Sequence, residues 1–268
     1  MELDTVSSSK PSGTAGGPAI DAVRAYWDAQ VDNWKIATFT SGTPEFFQQV
    51  ERYRFEKLEY LADVVDFTGF SGQQVLDVGC GLANDLSRFA AGGAEVTGVD
   101  IAPRAIQLAE ANFAQRGLLG EFHVMDGERL DFPPESFDAV YCHTVLQFTP
   151  DPVRMIQGIH RVLKPGGLAI LMMVNRRSWM NLLRHVMRVE VDHLDAPVYH
   201  RVTRAEFRQM LSVFRHVDVV PERFPVPTRV HRGLKALLFN AGFVTVFNAL
   251  PRAWTRGSGH HLMAFCRK

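Results

Sequence analysis

The sequence predicts a doubly wound α/β fold built on a mostly parallel sheet, and three observations carry that reading. Short apolar runs rich in β-branched residues alternate with helix-period segments, the succession of strand, crossover helix and next strand. The run Val75-Leu76-Asp77-Val78 passes directly into Gly79-Cys80-Gly81 and a polar helix start, which reads as a buried strand, a tight loop and a helix. A second strand signal, Ala91 to Val99, ends in the acid Asp100, 19 residues after Gly81, the spacing at which a carboxylate bonds ribose hydroxyls. The two glycines let the backbone turn sharply and approach a ligand closely, so the loop reads as a cofactor cradle.

At 268 residues with 46% hydrophobic content, the chain can fill the core of one elaborated domain over 20–268. Residues 1–19 are rich in Ser, Gly and Pro and hold no apolar stretch, so a disordered tail is expected there rather than a signal peptide or a membrane span. Cys80, Cys142 and Cys266 are odd in number and lack metal-type spacing, which points to a reducing cytoplasm. The net charge is zero, yet residues 1–174 carry 13 Lys/Arg against 23 Asp/Glu and residues 175–268 carry 16 against 6. Fourteen of those sixteen cations are arginines, suited to carboxylates or phosphates. Pairing with the acidic half is the simpler use of such a face.

A helical cap over 20–69 opens with a helix from Ile20 to Val31, with Ile20, Val23, Trp27 and Val31 on one face. Thr43-Pro44 caps a second helix, whose apolar positions run from Phe46 to Val65. The 70–174 core continues from the first strand with a helix over Leu82 to Ala91, the strand ending at Asp100 and a helix to Arg116. Phe122 to Met125 is a third strand and Phe137 to Cys142 a fourth. Asp151-Pro152 caps a helix to Leu163, Lys164-Pro165-Gly166-Gly167 turns, and Leu168 to Val174 is a fifth strand. In the 175–268 part, Thr203 caps a helix to Phe214, His216 to Val220 is a sixth strand and His260 to Cys266 a seventh. The result is a seven-stranded, Rossmann-like sheet with an insertion at 221–258 between the last two strands.

Asp77 before the first glycine, Gly79, Gly81, Asp100, the third strand ending in Asp126-Gly127, and Arg161-Val162-Leu163-Lys164-Pro165-Gly166-Gly167 together resemble the class I S-adenosylmethionine (SAM)-dependent methyltransferases, in particular their small-molecule members. The resemblance is strong over 70–174 and loose elsewhere. It implies SAM as cofactor and S-adenosylhomocysteine as product, held by Asp77, Gly79, Gly81, Asp100, Ile101, Asp126, Gly127 and His143. Asp77 would face the ammonium group, Asp100 the ribose and Ile101 one adenine face, while the helix start after Gly81 would meet the methionine carboxylate. Ala83 stands where the family often has a third glycine; alanine suffices if that glycine serves close packing rather than positive φ. In such enzymes the helices before the first strand fold over cofactor and substrate, which makes Tyr26, Trp27, Trp34, Tyr53 and Arg54 pocket candidates, or else packing staples. The segment after the fifth strand, with Arg176, Arg177, Arg184, His185, Arg188, His193 and His200, commonly shapes the substrate pocket.

Methyl transfer is a direct displacement, so holding nucleophile, methyl carbon and sulfur in line is the main task. A base helps a hydroxyl, amine or acidic carbon. His143, at the C-terminal end of the fourth strand where open sheets bind ligands, is the first candidate and His200 the second, with His193 and His261 behind. No metal pattern appears; His193 and His200 with Asp192 and Asp195 come nearest. Ala236 to Leu250 is fifteen residues without a charge, too short to span a bilayer. Its many apolar residues are expected to bury most of its faces as a lid, ahead of a membrane-interface helix or a dimer face. The acceptor is then a small molecule with an apolar body, and the enzyme a monomer or homodimer. Nucleic acid is not expected, since no Asn-Pro-Pro-Tyr-like motif follows the fourth strand. A SAM-binding scaffold that does not methylate, or an RNA methyltransferase using the basic last third, are the alternatives. A dehydrogenase fingerprint lacks the acid at Asp77.

Overall fold

The computed structural model describes residues 18–31, 37–181, 183, 193–226 and 237–268. Seven strands form one sheet: β1 (Gln74–Val78), β2 (Glu95–Asp100), β3 (Glu121–Val124), β4 (Phe137–Cys142), β5 (Leu163–Val174), β6 (His216–Glu222) and β7 (His261–Arg267). Their spatial order is β3-β2-β1-β4-β5-β7-β6. Pairings among β1 to β5 are parallel, and β7 runs antiparallel between β5 and β6. This is the mostly parallel, Rossmann-like sheet that the alternation of apolar runs and helical segments predicts.

Alternation along the central strands sends side chains into two cores. Leu76 and Val78 of β1 join Val140 and Cys142 of β4 on the face covered by α6 (Pro152–Val162) and α7 (Arg204–Met210). Val75 joins Ala139 and Tyr141 on the face covered by α4 (Asn84–Ala91) and α5 (Pro103–Arg116). Each large side chain so buried contributes about 1.5–3 kcal/mol, so central strands covered on both sides read as unbroken apolar runs. Helix starts are set by local chemistry: the Thr43 side chain accepts from the Phe46 amide and Asp151 from the Arg154 amide, each followed by proline. Thr203 and Glu206 form a reciprocal capping box.

Four details differ from expectation. Lys164 to Gly167 does not leave the sheet but forms an irregularity inside β5, where pairing with β4 shifts between Phe137 and Ala139; Gly166 takes φ +77° there. The second helix stops at Lys57, and a short helix, Leu61–Val64, follows, so that Tyr60 points into the core between them. Ala83 lies in the left-handed region at φ +56°, so the position does use positive φ, and a Cβ there carries strain of about 1–2 kcal/mol. Between β6 and β7, Leu238–Val244 is a π-helical turn running into Thr245–Ala249. Its i→i+5 repeat sets residues five apart on one side, and Phe239 and Val244 are the buried pair, packed with Trp179 and Leu183. Leu237, Leu238, Val246 and Leu250 are exposed. The segment thus buries one stripe, not most of its faces.

Candidate active site

The chain winds from β1 to β2 and β3 in one direction and from β4 to β5 in the other, so the topological switch point lies between β1 and β4, where ligands bind beyond the strand ends. Two loops meet there: Gly79 to Ala83 after β1 and His143 to Val145 after β4. The Gly79 and Cys80 amides donate to the Val99 carbonyl at 2.7 and 3.0 Å. The two glycines are needed for different reasons. At Gly79, φ +77°, a Cβ would meet Val145 Cγ2 at 2.2 Å, whereas at Gly81, φ +54°, it would meet nothing within 4 Å. The loop is packed below and open above Gly81. Asp100 braces it, accepting from the Gly81 amide at 3.0 Å and the Ala102 amide at 2.9 Å.

Beneath this loop the charges are unusual. Asp77 is buried, and burial, with Asp85 adding and Arg54 opposing, pushes its carboxyl well above the usual range. Asp85, in the first turn of α4, is also buried; burial pushes it up, but the Arg54 guanidinium overcomes this and holds it below the ordinary value. Arg54 comes from α2 (Pro44–Lys57) and binds Asp85 bidentately, Nε to Oδ1 at 2.6 Å and Nη2 to Oδ2. The Tyr141 hydroxyl donates to the same carboxylate at 2.8 Å. Asn84 Oδ1 and Gln147 Oε1 are buried acceptors with no hydrogen-bond partner among the described residues. The buried Asp77 carboxyl beside an open glycine loop, with two unmatched acceptors nearby, suits a cationic ligand rich in N–H and O–H donors, and the SAM expected here is such a ligand.

His143 follows β4 directly and is buried, its ring stacked on that of Tyr141 at 5.8 Å. Arg54 Nη2 lies 3.2 Å from its Nδ1 and the Tyr60 hydroxyl 2.9 Å from its Nε2. An arginine only donates, so Nδ1 is the acceptor and Nε2–H donates to the Tyr60 oxygen. The same logic holds at His261, whose Nε2 lies 3.0 Å from Arg223 Nη1 and whose Nδ1 lies 2.7 Å from that oxygen. The Tyr60 oxygen therefore accepts from two histidines, and its own proton points to Met263 Sδ at 3.8 Å. Burial and then Arg54 push His143 down to about 3, against the opposing pull of Asp85. Burial likewise holds the Tyr60 phenol protonated, well above its ordinary value. In the state described, the His143 imidazole is neutral and engaged at both nitrogens.

The other expected residues fall at varying distances from this centre. Ile101 follows Asp100 and is half-buried. The Asp126 side chain caps a short 3-10 turn by accepting from the Glu128 amide at 2.9 Å. A Cβ at Gly127 would meet Met155 Cε at 2.7 Å and Val78 Cγ1 at 2.9 Å, so that glycine lets the turn pack onto α6 and β1. His200 is not in the Tyr60 cluster; its Nε2 bonds the Thr149 carbonyl at 3.0 Å and its amide the Gln147 carbonyl at 2.7 Å. His193 meets Tyr26 and Trp27 of α1 (Pro18–Gln30) and Phe148, and Asp195 accepts from the Tyr26 hydroxyl at 3.0 Å. This aromatic group joins the N-terminal helix to the loop after β4. Tyr53 carries Lys57 over its ring. Trp34, Arg184, His185, Arg188 and Asp192 lie outside the described residues.

Residues 76–171 match the family described as methyltransferase domain. Over these residues the chain is similar to that family. Two ubiquinone biosynthesis O-methyltransferases are similar to the chain. The one from Idiomarina loihiensis is 33% identical over 159 residues, 56% of this chain and 65% of that protein. The one from Xanthomonas euvesicatoria is 36% identical over 124 residues, 45% of this chain and 49% of that protein. The chain therefore spans less than two thirds of the length of these relatives. A SAM-dependent methyltransferase structure from Thermotoga maritima superposes with a TM-score of 0.59 at 17% identity, over 91% of this chain and 99% of that one, which shows a shared fold. Around the matched segment, Tyr60, Arg223 and His261 complete a cluster for which no sequence motif stands; they come from the cap, the end of β6 and the start of β7, and only the fold brings them together. Asp85 and Tyr141 lay inside the motif and strand already read, where a buried polar residue was the available signal.

Proposed function

We propose that the protein transfers the methyl group of SAM to a small-molecule nucleophile with an apolar body, in a biosynthetic reaction. The observation that carries this reading is the buried carboxyl of Asp77 beneath a glycine loop open above Gly81 at the switch point. SAM supplies an electrophilic methyl carbon on a sulfonium. Asp77 faces its ammonium group, the Gly81 side of the loop and the start of α4 take its carboxylate, Asp100 takes the ribose hydroxyls, and Ile101 and Asp126 border the adenine. The relatives' names, O-methyltransferases of ubiquinone biosynthesis, support a hydroxyl acceptor. The buried thiols of Cys80, Cys142 and Cys266 support a reducing cytoplasm as its setting.

In this reading His143 receives the acceptor's proton. With Arg54 held on Asp85, the Nδ1 lone pair is the one that would meet the proton that has to go. Tyr60 keeps the Nε2 proton in place, so that Nδ1 remains the accepting nitrogen. Burial excludes water from the displacement. Incubation with methyl-labelled SAM and cell extract, with calorimetry of SAM, S-adenosylhomocysteine and NAD, tests the proposal. Labelled small-molecule product and SAM binding are expected; binding of NAD alone overturns it.

A further inference from the structure

We propose that the segment from Leu237 to Trp254 is a docking surface for an anionic lipid layer. Its apolar residues divide into two sets. Phe239, Phe243, Val244 and Phe247 turn inward onto Trp179 and Leu183, so the folding face is already filled. Leu237 is 61% exposed, Leu238 56%, Val246 63% and Trp254 75%, a concentration of large apolar side chains in water that a folded chain does not need. Tryptophan and leucine are the residues that settle at the boundary of headgroups and acyl chains.

Charge chooses among the occupants. From Arg223 to Arg256 the chain carries six Lys/Arg and no Asp/Glu, and Arg256, two residues from Trp254, is exposed. Exposed apolar side chains within so basic a stretch of sequence complement anionic headgroups over apolar chains. It opposes a second copy of itself, since equal charges would meet at a two-fold contact. No helix among the described residues is long and apolar enough to cross a membrane, so the contact is with the surface of the layer.

The mounting points the same way. Trp179 Nε1 donates to the Arg223 carbonyl at 2.8 Å, and Asn175 Nδ2 donates to the Gly257 and Gly259 carbonyls at 3.1 and 2.8 Å. Asn175 directly follows the last residue of β5, so the segment is tied to the same sheet edge as His143 and His261. Docking there would set the edge against the layer, where an apolar acceptor resides. The surface stands on its exposure and charge alone; its use in delivering the acceptor rests on the proposed methyl transfer.

The test is flotation of the purified chain with vesicles of phosphatidylcholine, alone or mixed with phosphatidylglycerol, at low and high salt. The wild type should bind the mixed vesicles in a salt-sensitive way and leave the neutral ones. Trp254→Ser and Val246→Asp should each weaken binding about tenfold, with melting temperature and SAM calorimetry unchanged to show that fold and cofactor site are intact. Absence of binding, or binding that both variants retain in full, overturns the proposal. So does a concentration-dependent dimer in light scattering that the same variants abolish. SAM binding without vesicle binding sinks this inference and leaves the methyltransferase reading standing; vesicle binding without SAM binding does the reverse.

Discussion

At Asp100 both carboxylate oxygens are fixed by the backbone amides of Gly81 and Ala102, so a ligand hydroxyl meets an acceptor that does not have to reorganise. Asp100→Ala removes that acceptor and the brace of the loop together, and a charge-assisted bond of this kind is worth about 1.5–3 kcal/mol. SAM should bind tenfold or more weakly by calorimetry; an unchanged dissociation constant refutes the role. Tyr60 tests the other side of the site. Tyr60→Phe leaves the N–H groups of His143 and His261 without their shared acceptor, at a cost of about 1–3 kcal/mol for each unsatisfied group. If Tyr60 holds the His143 tautomer, turnover per folded molecule falls and its pH profile shifts while SAM affinity stays. A loss of stability with an unaltered pH profile makes Tyr60 structural only. The sequence displayed Asp100 because its spacing from Gly81 is local, but Tyr60 has a meaning only beside residues 83 and 201 positions away. Ala83 was misread for a related reason: backbone φ leaves no mark on an alanine.

Among the elements, α2 and α4 are joined by the Arg54–Asp85 pair, which fastens the N-terminal cap to the cofactor loop. A buried pair of this sort gives little net stability, yet removing one partner strands the other, at about 3–5 kcal/mol. Arg54→Leu should therefore destabilise by that order in urea unfolding, while Arg54→Leu combined with Asp85→Leu recovers much of it; simple addition of the two single losses would show that the groups do not interact. The strands and the capped helices were legible because periodicity and caps are short-range signals. The Lys164–Gly167 irregularity was not, because Pro and Gly in a row suggest a turn unless the neighbouring strands supply partners. The π-helical turn was missed as well, since a helical wheel assumes 100° per residue and so sets Val244 about 140° from Phe239. Only the wider repeat gathers them into a single stripe.

For the molecule as a whole, acid is the expected weakness. His143 and His260 are pushed down to about 3, each mainly by burial, and His261 well below its ordinary 6.5, again by burial with Arg223 next. All three stand at one end of the sheet, reached from β4 and β7. Charge counting from sequence located the basic last third but could not show that these histidines are enclosed, because enclosure is a property of the assembled cap, sheet and insertion. The sign follows from proton binding. Unfolded, each histidine takes up a proton as pH falls through about 6.5; folded, His143 and His260 do not until near 3, and His261 stays neutral well below 6.5. The unfolded state thus binds more protons across that window, and stability, fully present above 6.5, is lost as pH falls. Each group contributes a slope of about 1.4 kcal/mol per pH unit, so three give about 4. Between pH 7.5 and 6.5 the three groups should cost about 1 kcal/mol and between 6.5 and 5.5 about 3, so urea midpoints should fall gently over the first interval and steeply over the second. His260→Gln, which leaves the Tyr60 cluster intact, should reduce the steep part by about a third. Equal midpoints at pH 7.5 and 5.5 would mean that the histidines gain protons in the folded state, and that the enclosed, neutral cluster at the heart of the site is wrong.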